Sequence, residues 1–312
     1  MAVESVLSAE QFKKEELLKL IHSSTEIEAA LKLKRQIPLL DEYILATLFF
    51  EPSTRTRLSF EAAMHRLGGR VISSVGVQFS SLSKGETLFD TLKMIEAYAD
   101  ICVIRHPVEG ASILAAENIS IPVINGGDGA GEHPTQALLD LYTIYKHKKN
   151  IFIKNEKLKI AFIGDIKYGR TIHSLLLLLR WFNFEIILIS PAELSLPEKY
   201  KTKLIDANIR FTETEDVAAI KDCDVAYVTR IQAERFDDLS EYEIFKDRYI
   251  VNKNMISGCD KDIIVMHPLP RLSEVSIDLD NTPAAVYFEQ ANNGLYMRMA
   301  LLLNLLEVSF EL

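Results

Sequence analysis

Apolar and polar positions follow two rhythms along this chain. Short apolar runs with few charges occupy residues 43–50, 71–75, 101–105, 121–124, 158–164, 185–190, 208–212, 224–229, 248–251 and 262–266. Runs of that length predict strands buried on both faces, as in parallel sheets. Between most of them, apolar residues recur every three or four positions, at 54–67, 86–99, 111–118, 134–148, 169–182, 196–206 and 214–221, which predicts amphipathic helices. Alternation of this kind predicts an α/β fold with right-handed crossovers. Leu138, Leu139, Leu141 and Ile144 give a long helix that runs out in the polar segment 146–150. The shift in composition predicts two doubly wound domains, each with a mainly parallel sheet flanked by helices, at residues 1–148 and 149–289. A last helical pattern, 292–306, is expected to pack back on the first domain, so that about 290–312 closes it.

Composition narrows the function. The chain has 312 residues, long for one core, with 48% apolar and 25% charged residues, as in ordinary globular proteins. A net charge of −9 argues against nucleic acid or an anionic membrane as partner. Any anionic ligand must then be met by basic groups gathered locally. Cys102, Cys223 and Cys259 are far apart and form no CxxC pair, so neither a disulfide framework nor a metal site is expected. The first residues lack the charged and apolar regions of a signal peptide, and the leucine run ending at Leu179 is too short to span a bilayer. The expected location is cytoplasmic.

The candidate chemistry collects where strands end. After the run 43–50 come Ser53, Thr54, Arg55, Thr56 and Arg57, and a helical pattern follows at once. Two hydroxyls, the unpaired N–H groups of a helix N-terminus and one guanidinium make a site for a tetrahedral oxyanion such as phosphate. Arg55 and Arg57 stand roughly 200° apart around a helix, so both cannot face one ligand. Arg55 is assigned to the anion and Arg57 to a structural ion pair. Run 101–105 ends at Arg105, and run 121–124 opens into Asn125-Gly126-Gly127-Asp128-Gly129, followed by His133-Pro134-Thr135-Gln136. In the second half the strand ends carry Arg170-Thr171, Arg230-Ile231-Gln232 and His267-Pro268-Leu269-Pro270-Arg271. Ligands of open α/β sheets bind at this edge. Gly164 to Thr171 has the spacing of a P-loop, but Arg170 stands at the lysine position and Tyr168 would crowd the cradle, which disfavours a nucleotide.

Together with Ser81-Leu82-Ser83-Lys84-Gly85-Glu86, these segments resemble, in order and over essentially the whole sequence, the aspartate branch of the carbamoyltransferase family. The resemblance implies transfer of the carbamoyl group of carbamoyl phosphate to the α-amino group of L-aspartate, giving N-carbamoyl-L-aspartate and phosphate, an early step of de novo pyrimidine biosynthesis. By resemblance Ser53, Thr54, Arg55 and Thr56 hold the phosphate. Thr56, Arg105 and His133 address the carbonyl oxygen, while Gln136 and the carbonyls of Leu269 and Pro270 orient the NH2 group. Arg170 and Arg230, with Gln232 and Lys84, bind the dicarboxylate, and no cofactor is needed.

The family also implies a homotrimer with shared active sites, in which Ser81 and Lys84 reach a neighbouring subunit, and domain closure as the gate. A separate regulatory chain is compatible with the sequence. Two small departures stand out: Gly126 replaces a common alanine, and the Lys84 loop has one basic residue where some relatives have two. The alternatives are an ornithine or other carbamoyltransferase and a non-catalytic phosphate-binding scaffold. Pro268 where the ornithine branch typically has cysteine, and two guanidiniums facing a cationic amine, count against the first. Intact Arg105, His133 and Gln136 count against the second.

Overall fold

The computed structural model describes residues 4–76, 81–231, 242, 243, 245 and 248–310. The chain forms two compact units, Met1–Tyr142 with Asn292–Leu312, and Thr143–Ala291. In the first unit, β1 (Ile44–Phe49), β2 (Arg70–Val75), β3 (Ile101–His106) and β4 (Val123–Asp128) form a parallel sheet in the order β2-β1-β3-β4. Its helices are α1 (Lys14–Lys32), α2 (Thr54–Arg66), α3 (Leu88–Tyr98), α4 (Ala111–Asn118) and α5 (Pro134–His147), the last of which crosses into the second unit. The second unit holds α6 (Asn150–Ile153), β5 (Leu158–Ile163), α7 (Arg170–Leu179), β6 (Phe184–Ile189), α8 (Glu198–Asp206), β7 (Arg210–Thr214), β8 (Val225–Val228), α9 (Lys253–Ser257) and β9 (Ile264–Met266). Its sheet is also parallel, in the order β7-β6-β5-β8-β9. Helix α10 (Tyr287–Leu305) begins in the second unit and ends in the first.

The central strands are buried along nearly their whole length: every residue of β3 but His106, and all of β8. Continuous apolar runs give this burial because helices cover both faces of a parallel sheet. Helix α7 is buried from Ile172 to Leu179, so its leucines pack on more than one side rather than along a stripe.

Four expectations change. Residues 248–251 form no strand: Val251 makes one isolated bridge to Val275, framed by Val251 N–H to Glu274 O and Ser276 N–H to Val251 O. The pattern at 214–221 becomes a 3-10 helix, Val217–Asp222, capped by the Asp216 side chain. Strand β4 runs on through Gly126 and Gly127 to Asp128, where a register irregularity against β3 absorbs the glycines. Helix α1 went unexpected, although Leu17, Leu20, Ile21, Ser24 and Ile27 bury one face at helical spacing. No helix among the described residues is long and apolar enough to cross a membrane.

Candidate functional site

In each sheet the chain reverses its direction of growth at one place. From β1 it moves outward to β2 and then returns to β3 on the other side; from β5 it moves out to β6 and β7 and returns to β8. Each switch point, β1/β3 in the first unit and β5/β8 in the second, marks the strand carboxyl ends at which α/β folds bind ligands. The expected site residues fall at both.

In the first unit, Phe49 pairs with Arg105, and Phe50 N–H donates to Arg105 O at 2.9 Å. That pairing sets the Ser53–Thr56 turn beside the end of β3. Ser53 is the N-cap of α2 in extended backbone, and its side chain makes no capping hydrogen bond. The hydroxyl and the first N–H groups of α2 are thereby left to an external acceptor. Arg55 is exposed, and its guanidinium sits below its ordinary range through partial burial. Arg57 makes an ion pair with Glu61 at 3.3 Å, one turn along the helix, as the angular argument requires. Thr56 and His133, 77 residues apart, meet with Oγ1 and Nε2 3.4 Å apart, and both are buried. Arg105 donates from Nη1 to Gly126 O at 3.3 Å, and its Nε lies 3.3 Å from Glu51 Oε2. Those last two atoms form an ion pair without hydrogen-bond alignment. Gln136 donates from Nε2 to Asp140 Oδ1 at 2.8 Å. Glu51 and Asp140 escaped the sequence reading. An acid beside the Ser53–Arg57 segment, and one inside the apolar run 137–141, were the available signals.

In the second unit, Ile163 pairs with Val228, and Thr229 N–H donates to Ile163 O at 2.8 Å. Arg230 and the turn leading to Arg170 therefore leave the sheet side by side. Asp165 accepts from Tyr168 N–H at 2.9 Å, closing a tight turn so that α7 starts at Arg170. Gly164 has a φ of +111°, and a methyl group there would overlap Thr229 O, so only glycine fits. Arg170 and Arg230 are half-buried. Gln232 lies outside the described residues. Past β9, His267 accepts Leu269 N–H on Nδ1 at 2.8 Å, which places its proton on Nε2, facing Glu274 Oε1 at 2.8 Å. Glu274 also accepts Leu272 N–H at 3.1 Å. The knot holds Leu269 at a φ of +57°, ahead of the cis bond to Pro270. Lys84 ends a short 3-10 turn, Ser81–Lys84, and is exposed.

A cleft of about 390 Å³ in the second unit lies elsewhere, lined by residues 146–151, 156–158 and Asp224. It borders the amino ends of β5 and β8, opposite Arg170 and Arg230, and we do not assign the chemistry to it.

The fold and these constellations define a class: a two-domain α/β protein with hydroxyls and arginines at a helix N-terminus near one switch point and two half-buried arginines near the other. Residues 4–146 match the family model for the aspartate/ornithine carbamoyltransferase carbamoyl-P binding domain, and residues 156–305 the Asp/Orn binding domain. The chain belongs to the aspartate/ornithine carbamoyltransferase family. It is 57% identical to the aspartate carbamoyltransferase catalytic subunit of Leptospira biflexa over 98% of each chain. With that of Methanocaldococcus jannaschii the identity is 49% over 97% of each. The solved catalytic subunit of M. jannaschii aspartate transcarbamoylase superposes with a TM-score of 0.90, covering 98% of each chain at 48% identity. Aspartate transcarbamoylase from Trypanosoma cruzi, solved in complex with carbamoyl phosphate and aspartate, gives a TM-score of 0.89 at 38% identity over 96% of each.

Proposed function

We propose that this chain transfers the carbamoyl group from carbamoyl phosphate to the α-amine of L-aspartate, forming N-carbamoyl-L-aspartate and phosphate, an early step of pyrimidine biosynthesis. The observation that carries this reading is the meeting of Thr56 and His133 at the start of α2, whose N-cap Ser53 makes no capping hydrogen bond, while Arg105 lies near the end of the strand paired with the one before α2. Those groups suit an acyl phosphate. Ser53, Thr54, Arg55 and the α2 N–H groups take the phosphate, and Thr56, Arg105 and His133 take the carbonyl oxygen as it gains charge. One such donor is worth about 3–4 kcal/mol to the transition state. Gln136 and the Leu269 and Pro270 carbonyls accept from the NH2 group. Arg170 and Arg230 hold the two carboxylates, and the departing phosphate is the candidate acceptor for the amine's proton.

The same reading makes the protein a cytoplasmic homotrimer in which Lys84, with Ser81, completes a neighbour's site. The relatives named as catalytic subunits support a regulatory partner as well. An assay with carbamoyl phosphate and either L-aspartate or L-ornithine tests the chemistry. Carbamoyl-aspartate from aspartate alone is expected, and citrulline from ornithine would discard the acceptor assignment. Mixing inactive Lys84→Ala and Arg55→Ala chains tests the shared site, and hybrids with no recovered activity would sink it.

A further inference from the structure

Asp140 is completely buried within the apolar run Ala137-Leu138-Leu139-Asp140-Leu141. Gln136, one turn earlier on the same helix, donates from Nε2 to Asp140 Oδ1 at 2.8 Å. A carboxylate accepts and does not donate, so it takes the NH2 end of that amide and turns Gln136 Oε1 away from itself. A lone buried carboxylate is costly, and the guanidinium of Arg298 on α10, also buried, lies within reach of its charge. Burial lowers the Arg298 guanidinium and the Asp140 charge opposes it, leaving the group at about 10.

Two further contacts show that a place is built for this cation. The guanidinium lies 5.0 Å from the centre of the Phe60 ring, on the same helix α2 whose N-terminus carries Thr54 to Thr56. Gly294, one turn before Arg298, leaves room for it, since a methyl group there would overlap Arg298 Nη1. Two buried opposite charges add little to stability alone, because apolar residues of similar volume usually do as well or better. Their cost here is matched by what they do to Gln136.

We propose that Asp140, backed by Arg298, is a positioning residue that fixes the Gln136 amide with Oε1 toward the donor substrate. The site then reads the NH2 of carbamoyl phosphate and rejects acyl phosphates that carry a methyl group in its place. This inference rests on the carbamoyl-transfer reading above. In that site an NH2 group donates to Gln136 Oε1, whereas a methyl leaves that oxygen unpaired. A flipped amide would instead set NH2 against NH2.

The experiment compares carbamoyl phosphate as substrate with acetyl phosphate as competitive inhibitor, in wild type and Asp140→Asn. An asparagine can offer its own NH2 and flip Gln136. The expected result is a rise of about tenfold in KM for carbamoyl phosphate, with Ki for acetyl phosphate unchanged within about twofold. If Asp140→Asn does not fold, the charge-free pair Asp140→Asn with Arg298→Met is expected to show the same loss of discrimination. Equal weakening of both ligands, or no change in KM, in whichever variant folds would overturn the proposal and make the pair purely structural. Wild type that makes no carbamoyl-aspartate would overturn the underlying reading, and this inference with it.

Discussion

In the first unit the groups assigned to the carbonyl oxygen, Thr56, Arg105 and His133, are buried and tied down: Thr56 meets His133, and Arg105 is held by Gly126 and Glu51. In the second unit Arg170 and Arg230 are half-buried, at the ends of paired strands. The two sheets share one switch-point architecture, so the difference lies in what each site must do. Groups that stabilise charge arising in a transition state act best when already oriented and shielded from water. Groups that capture a charged ligand from solution gain from exposure, at the cost of weaker individual contacts. On this view the first unit supplies rate and the second supplies choice of acceptor.

The comparison breaks most easily at Arg55 and Arg230. Arg55→Ala is expected to lower kcat about 10²–10³-fold, with little change in melting temperature because the side chain is exposed. Near-normal turnover in that variant would empty the phosphate cradle of its meaning. Arg230→Ala removes charge-assisted hydrogen bonds worth about 1.5–3 kcal/mol, so KM for aspartate is expected to rise about 10–100-fold. Carbamoyl phosphate affinity, measured by equilibrium binding, is expected to stay as in wild type. Loss of donor affinity in Arg230→Ala would show that the units do not divide the ligands as proposed.

Much of this was legible in the residues. Apolar runs and helical spacing located eight of the strands closely, because a strand covered on both faces must be apolar throughout. Ser53-Thr54-Arg55-Thr56-Arg57 could be read as a helix start from spacing alone, and the ion pair of Arg57 followed from helix geometry. What stayed hidden were the residues that hold ligand groups from behind. Asp140 and Arg298 are 158 positions apart and feel each other's charge only because both lie in the first unit. Glu274 partners His267 through a loop whose shape no periodicity encodes. The apparent strand at 248–251 failed for a related reason: alternation in four residues cannot tell a ladder from one isolated bridge.

A third test asks whether the second unit has any preorganised part. Burial would raise the Glu274 carboxyl, but the hydrogen bonds it accepts from His267 Nε2–H and Leu272 N–H outweigh it and hold the group below its ordinary 4.5. A carboxyl lowered in the folded state contributes stability that is complete above its unfolded value and is lost as pH falls through its folded one. Glu274→Gln is therefore expected to be about 1–3 kcal/mol less stable than wild type near neutrality. That gap should narrow as pH drops below about 4.5. Denaturant melts at pH 7, 5, 4 and 3 measure it, and a gap independent of pH would remove the ionised, hydrogen-bonded carboxylate from the account.

The smallest effect is expected at Arg57, and it sharpens the assignment of its neighbour. Arg57 reaches Glu61 at 3.3 Å, and Glu61 also accepts from Ser73 Oγ at 2.8 Å and from Thr47 Oγ1 at 3.3 Å. Truncating the arginine leaves that carboxylate with two hydroxyl donors, so the loss should be that of one helix-surface ion pair, about 0.3–0.5 kcal/mol. A melting shift of about 1–2 °C follows, with kcat and both KM values within about twofold of wild type. The contrast with Arg55→Ala is the informative quantity, since the two side chains share a helix turn and a charge. If Arg57→Ala instead lost activity as Arg55→Ala does, the helix start would present both guanidiniums to the ligand. The angular argument that gives the phosphate to Arg55 alone would then fail.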